Sequence, residues 1–346
     1  VGRPVPRTRR VPARGRCRRE RAGWTMTAGV ACAFVDTLHD AAVRDLGWLL
    51  ASPSLLTAVP GAPLARPWPD AAGQSAVEAW LAALDAQPEP LHRSLDGLRP
   101  TRLGRYAECL LEYFLAHGPS LRLIAANLPL RSNGKTLGEV DFLVDAPGGQ
   151  RLHWELAVKC YLCAPVRAGA SLADFVGPNL VDRFDRKRRR LLDHQLRLGE
   201  HDGFARLGFG APSDAQMFIK GWLFYPNGVP LPPVSAEIAP DHPRGFWLTH
   251  AQWPAWAAAQ RAGAAWSVLP RLAWLAPRRA AADTGFEPEP LAAALELPPV
   301  LTTREAPALI GVHEKGSDGT WRERARGFVV PDDWPVRAQA FAAQDH

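Results

Sequence analysis

GEVDFLVDAPGGQRLHWELAVKCYL, residues 138–162, carries the pattern from which the rest of the chain is read. Two apolar alternating segments are joined by Ala146-Pro147-Gly148-Gly149. Along the first, Val140, Phe142 and Val144 share one face, while Glu139, Asp141 and Asp145 share the other. Along the second, Leu152, Trp154, Leu156 and Val158 alternate with His153, Glu155, Ala157 and Lys159. A period of two with a Pro/Gly turn predicts a β-hairpin. Its polar face gathers Asp141, Glu155 and Lys159, a set suited to holding a divalent metal and a water. Leu143 and Ala157 lie on that same face, which predicts that a helix covers part of it.

Lys159 stands out by composition. Of the 41 basic residues only Lys135, Lys159, Lys187, Lys220 and Lys315 are lysine. With abundant Ala, Pro and Leu, that bias marks a GC-rich bacterial genome that writes arginine wherever any cation serves. A lysine that survives it fits a place needing a compact, deprotonatable amine rather than a guanidinium.

Working outward, the spacing of Leu38, Ala41, Ala42, Leu46, Leu49 and Leu50 is helical. A Pro-rich loop spans 59–72, and Ser75 to Leu84 reads as a second helix. Leu103 to Ala116 is the clearest helix, with Leu103, Ala107, Leu110, Leu111 and Phe114 as its core stripe. Glu108 lies at the stripe's margin. An extended piece, Leu121–Leu130, leads into the hairpin. The loop 164–178 is followed by a predicted helix over 179–198, and MFIKGWLF (217–224) reads as another strand. The order α-β-β-β-α-β predicts an α/β (α+β) fold, a mixed sheet flanked by helices. The domain reading is a head over 1–25, a helical region over 26–100, a core over 101–230 and a Trp/Pro-rich C-terminal extension over 231–346 packed on that core. Trp247, Trp253, Trp256, Trp266 and Trp274 in the extension read as core or interface material.

The chain's 346 residues can bury a sizeable core, and 47% hydrophobic with 22% charged residues is ordinary for a globular protein. No apolar run approaches the roughly 18 residues that span a bilayer. Five scattered cysteines, Cys17, Cys32, Cys109, Cys160 and Cys163, fit a reducing cytoplasm. Cys160-x-x-Cys163 has no second pair to complete a zinc site and reads as structural. Residues 1–25 hold nine arginines and one glutamate, so the head carries +8 of a total of +6 and the rest is net −2. Any nucleic-acid surface must therefore be local. The head is expected to be disordered, with Met26 as a candidate start, and export from the stretch Ala22–Val35 is not expected.

Four stretches resemble a bacterial family known as domain-of-unknown-function family 1853: AAVRDLGWLLASPSLL, LGRYAECLLEYF, GEVDFLVD with HWELAVKCYL, and DRFDRKRRRLLDHQL with FIKGWLFYP. Together they cover roughly Val43 to Trp247. The hairpin and its flanking elements also resemble the PD-(D/E)XK nuclease superfamily. That resemblance implies a restriction-endonuclease-like core and Mg²⁺-dependent (or Mn²⁺-dependent) hydrolysis of DNA or RNA. Asp141 and Glu155 would hold the metal, Lys159 would position the water, and Glu108 and Gln195 would support. Mg²⁺ suits such hard oxygen donors. The chain departs from the superfamily at Ala157, where an acid is usual. Glu155 lies two residues earlier, about 13 Å from Lys159 by strand rise.

Four outcomes stay open. A bulge could draw Glu155 closer; Glu155 could ligate from below while Lys159 reaches down; Glu108 or Glu139 could supply the missing acid; or catalysis is lost. In the last case the chain would be a non-catalytic nuclease-fold module that binds nucleic acid or a partner protein. His153 reads as a hydrogen-bonded or exposed histidine rather than a ligand. Arg183, Arg186, Lys187 and Arg190 on the predicted helix form either a solvated face or a phosphate-contacting one. Lys220, mid-strand in apolar surroundings, reads as a structural lysine. No P-loop, dinucleotide fingerprint, HExxH or Gly-x-Ser-x-Gly elbow is present.

Overall fold

In a computed structural model of the chain, the described residues are 33–132, 135–166, 168–281, 284–294, 296–302 and 306–344. The arginine-rich head and Met26 lie outside them. Helices α1 (Ala41–Ala51), α2 (Ala71–Ala86), α3 (Glu89–Leu98) and α4 (Leu103–His117) come first. Strands β1 (Arg122–Ser132), β2 (Lys135–Asp145), β3 (Arg151–Cys163) and the short β4 (Phe175–Val176) follow. Next are α5 (Phe184–Asp193), a 3-10 turn over Gln195–Glu200, α6 (Asp202–Ala205), β5 (Asp214–Pro226) and β6 (Arg244–Thr249). The C-terminal part holds α7 (Trp253–Ala258), β7 (Ala265–Val268), β8 (Arg279–Ala280) and β9 (Glu289–Pro290). It ends with α8 (Pro299–Thr302), β10 (Ala308–Lys315), β11 (Trp321–Val330) and α9 (Trp334–Ala342).

Local chemistry explains the first helices. The Asp40 carboxylate accepts the backbone N–H of Ala42 and Val43, both at 3.0 Å, and starts α1. Asp70 accepts that of Gly73 at 2.8 Å and starts α2. Each such cap is worth about 1 kcal/mol. On α4 the expected stripe is buried apart from the half-buried Leu103, and Ala107, Leu110, Leu111 and Phe114 join a core with Phe142, Val144 and Trp154 of the hairpin.

The strands form one mixed sheet in the order β1-β2-β3-β5-β6-β11-β10-β7-β9, with β4 beside β3 and β8 beside β11. The pairs β3–β5, β5–β6 and β6–β11 are parallel, and the others antiparallel. The segment α4-β1-β2-β3-α5-β5 has the order predicted from sequence. Leu152, Trp154 and Leu156 of β3 pack into the core that holds α1 and α4. Ala157, Tyr161 and Cys163 pack into a second core with Phe184, Leu191 and Leu196. β3 therefore runs through the middle of the molecule with helices over both its faces.

Three expectations change. The helix predicted over 179–198 is shorter, because Gly177 N–H donates to Asp182 O and Leu180 takes φ +55°, closing 177–182 into a turn. At its other end His194 leaves helical geometry (φ −132°, ψ −60°) and the 3-10 turn takes over. The shared face of Val140, Phe142 and Val144 is split: Phe142 and Val144 join the α4 core, whereas Val140 packs with Leu130, Leu143, Leu198 and Phe204. Finally, the region after 231 supplies β6, β7, β10 and β11 to the same sheet, so it continues the sheet itself. Among the described residues no helix is long and apolar enough to cross a membrane.

Candidate functional site

The β2–β3 ladder pairs Asp145 with Arg151, Val144 with Leu152, Leu143 with His153 and Phe142 with Trp154, and ends there. Beyond that point side chains take over from backbone. Asp141 Oδ2 accepts the Leu156 N–H at 2.9 Å, and the Asp141 N–H approaches Glu155 Oε1 at 3.4 Å. Each strand's acid thus reaches across to the other strand where the two diverge. On the far side of β2, Ala126 pairs with Phe142 and Leu128 with Val140, so Asn127 stands opposite Asp141. Asn127 adopts φ +52°, a left-handed conformation that asparagine tolerates better than most residues.

Glu155 is fully buried. His153 Nε2 lies 2.6 Å from its Oε1, and Gln195 Nε2 donates to its Oε2 at 2.8 Å. Gln195 Oε1 in turn accepts from Lys187 Nζ at 2.8 Å. With the carboxylate as acceptor, His153 donates from Nε2–H, and its Nδ1 is buried without a hydrogen-bond partner among the described residues. The 3-10 turn that replaces the end of the predicted helix is what carries Gln195 over this face.

Burial, and next the Glu155 carboxylate, push the Asp141 carboxyl well above its usual range. Glu108 acts in the same direction, while the Leu156 N–H and Lys187 pull it back. Burial and then the charge of Lys159 lower the Lys187 amine, against the raising fields of Asp141 and Glu155. Two acids in low dielectric oppose joint ionisation, and a cation between them would relieve that.

Lys159 lies near Lys187 but takes another partner. Its Nζ donates to Asp182 Oδ2 at 2.5 Å, and the Tyr161 hydroxyl donates to the same oxygen at 3.0 Å. About a third of each side chain of this ion pair is exposed, 32% and 33%. The strand carries no bulge at Ala157, since β3 and β5 pair without interruption from Leu152–Asp214 to Leu162–Phe224. Glu155 and Lys159 therefore keep the full strand rise between them. Glu108 is held by Arg105 Nη1 at 3.0 Å, a guanidinium that also reaches Asn127 Oδ1 at 3.4 Å.

The cationic helix is only partly open to a ligand. Arg183 is 4% exposed and bound to Asp185 at 2.6 and 2.8 Å and to the carbonyls of Ala342 and Gln344. It anchors the C-terminal helix and is not available as the phosphate contact expected from sequence. Arg186 stands over the Phe341 ring at 5.4 Å, with Nε and Nη2 buried and unpartnered among the described residues. Lys187 points into the acid cluster, and Arg190 is exposed. Cys160 and Cys163 are free thiols, both pushed up to about 12 by burial, which makes them inert.

Among the described residues no group of three or more His, Cys, Asp or Glu side chains is arranged to hold a metal. Two carboxylates remain, and Mg²⁺ is commonly held by one or two carboxylates with water and phosphate oxygens completing its shell. Asp141 Oδ2 and Glu155 Oε2 each carry one hydrogen bond among the described residues, which leaves each a lone pair for a hard cation. The donor set fits magnesium and is ill-suited to zinc.

Sequence reasoning did not find Asp182, Tyr161 or Asn127, and assigned His153 no role at Glu155. Asp182 stands 23 residues after Lys159, and only the fold of the 177–182 turn brings them together. The profile of one protein family, described as a domain of unknown function (DUF1853), matches residues 44–330. No curated protein and no solved structure matches the chain.

Proposed function

The chain belongs to that family, and because the family's description names no activity, we propose from the geometry that the protein is a metal-dependent nuclease with a PD-(D/E)XK-like core, hydrolysing phosphodiester bonds of DNA or RNA. One observation carries the reading: two acids from adjacent strands meet where the ladder opens, and Asp141 is held against ionisation by burial and by Glu155. Asp141 and Glu155 would hold Mg²⁺ or Mn²⁺, which on binding supplies Lewis-acid polarisation of a phosphoryl oxygen and a more acidic water. His153 and Gln195 fix the Glu155 rotamer, which keeps its free lone pair aimed at one point. Glu108 adds negative potential, and Arg190 with the half-buried Lys187 and Arg186 gives the approach a positive flank.

A second reading is a non-catalytic nuclease-fold module that binds nucleic acid or a partner protein. It is favoured by the complete burial of Glu155 and by the engagement of Lys159 with Asp182. The experiment that separates the two incubates the purified protein with single- and double-stranded DNA and RNA in Mg²⁺, Mn²⁺ or EDTA. Metal-dependent cleavage that disappears in Asp141→Asn supports the nuclease. Binding of nucleic acid without cleavage under every condition supports the module.

A further inference from the structure

The expected sequence position for the site's amine is Lys159, and its geometry argues against that role. Its ammonium is committed to Asp182 at 2.5 Å, with Tyr161 reinforcing the same oxygen. An unbulged strand holds its Cα about 13 Å from that of Glu155. Lys187 reaches the acids from another element. Its Nζ donates to Gln195 Oε1 at 2.8 Å, and Gln195 Nε2 donates to Glu155 Oε2 at 2.8 Å, so only one amide separates it from the acid pair.

The helix is built to point that residue inward. Phe184 and Leu191 are fully buried, and Lys187 lies three residues after the first and four before the second, on the same face of α5. Arg183, tied to Asp185 and to the Ala342 and Gln344 carbonyls at the end of α9, fixes where the helix begins. The composition argument applies here with more force than at Lys159. In the run Arg186-Lys187-Arg188-Arg189-Arg190 the one position that faces the acids is the one written as lysine. Arg188 turns to Glu237 at 2.6 Å and Arg189 to Asp185 at 3.5 Å.

We infer that Lys187, and not Lys159, is the amine that contacts the water or the scissile phosphate at the Asp141–Glu155 pair. This rests on the nuclease reading above and names the residue that serves it. In the hydrolysis, water oxygen bonds to phosphorus and the phosphorus–oxygen bond to the leaving sugar oxygen breaks. One water proton is released to solvent and the leaving oxygen takes a proton from solvent, so no further reactant is needed. The Lys187 ammonium donates a hydrogen bond to the attacking water or to a non-bridging oxygen, exchanging its Gln195 contact for the substrate. Lys159 and Asp182 form a fixed pair that ties β3 to the 177–182 turn.

The full chain would be assayed on a cleavable oligonucleotide with Mn²⁺, beside Lys187→Met, Lys187→Arg, Lys159→Met and Asp182→Asn, with Mn²⁺ affinity and melting temperature measured for each. Lys187→Met keeps the apolar stem, so folding should persist. The expected result is a fall in kcat of about 100-fold or more for both Lys187 variants, the loss typical of one removed transition-state donor. Mn²⁺ affinity should stay close to that of the wild type, while Lys159→Met and Asp182→Asn keep kcat within about tenfold. Loss of cleavage in Lys159→Met with Lys187→Met still active would overturn the assignment and leave the nuclease reading standing. A wild type that cleaves no substrate with any metal would overturn the nuclease reading, and the assignment with it.

Discussion

Glu155 and Lys159 lie on one face of one strand, four residues apart, and the fold treats them in opposite ways. Glu155 is fully buried and gripped by His153 and Gln195 where β2 leaves β3. Lys159, four residues further from the end of the β2–β3 ladder, is a third exposed in an ion pair with Asp182, and β5 pairs alongside both residues. The difference shows that distance from the point of divergence, more than position on a face, decides how a polar side chain is held. Where the ladder opens, backbone donors need acceptors, and side-chain acids supply them. Further along, where β2 has left, Lys159 pairs with Asp182 of the 177–182 turn.

The largest expected effect comes from closing off the Lys159 end. Gly221 pairs with Lys159, has φ +135°, and a Cβ there would sit 1.7 Å from the Lys159 carbonyl oxygen. Gly221→Ala should destabilise the protein by about 3 kcal/mol or more, read as a lower denaturant midpoint or as insoluble expression. A midpoint equal to wild type would show that β5 can shift past Lys159 freely.

Next is the buried acid. Glu155→Ala leaves the buried His153 Nε2–H and the half-buried Gln195 amide without their acceptor. That should cost about 2–3 kcal/mol in urea unfolding of the metal-free protein. The matching change at the other end, Asp182→Asn, breaks a part-exposed ion pair and should cost about 1 kcal/mol or less. Equal losses would erase the contrast between the two ends.

Between these lies Asp141, and here the sign depends on pH. Its folded-state carboxyl is raised, chiefly by burial and then by Glu155. The fold therefore favours the protonated acid: its contribution is fullest below the unfolded carboxyl range and is lost as pH rises through the raised value. Asp141→Asn should stabilise the metal-free protein on the alkaline side by on the order of 1–2 kcal/mol, and by less toward acid. Unfolding midpoints across pH 4–9 would check it; an advantage that grows toward acid would show that the carboxylate is stabilised in the fold.

The sequence was readable where the pattern is local. The hairpin, the α4 stripe, the β5 strand and the acids Asp141 and Glu155 follow from periodicity within short windows, and each appears in the fold. What escaped depends on distant chain segments. The break of α5 at His194 turns on tertiary packing of Leu196 and Leu198, which no helical periodicity reveals. Asp182 reaches Lys159 only because Gly177–Asp182 closes as a turn. Arg183 looked like its neighbours in a basic run, yet its partners include carbonyls at 342 and 344. The same charge type on one helix thus divides into an anchor, an inward amine and exposed cations, and only packing tells them apart.

The central claim is that Asp141 and Glu155 form one cation site. Calorimetric titration of Mn²⁺ into the metal-free protein tests it most directly, with Asp141→Asn and Glu155→Gln beside the wild type. The account predicts binding by the wild type and a loss of about tenfold or more in affinity, roughly 1.4 kcal/mol, in each variant. Equal affinity in all three, or no binding by the wild type, would contradict it.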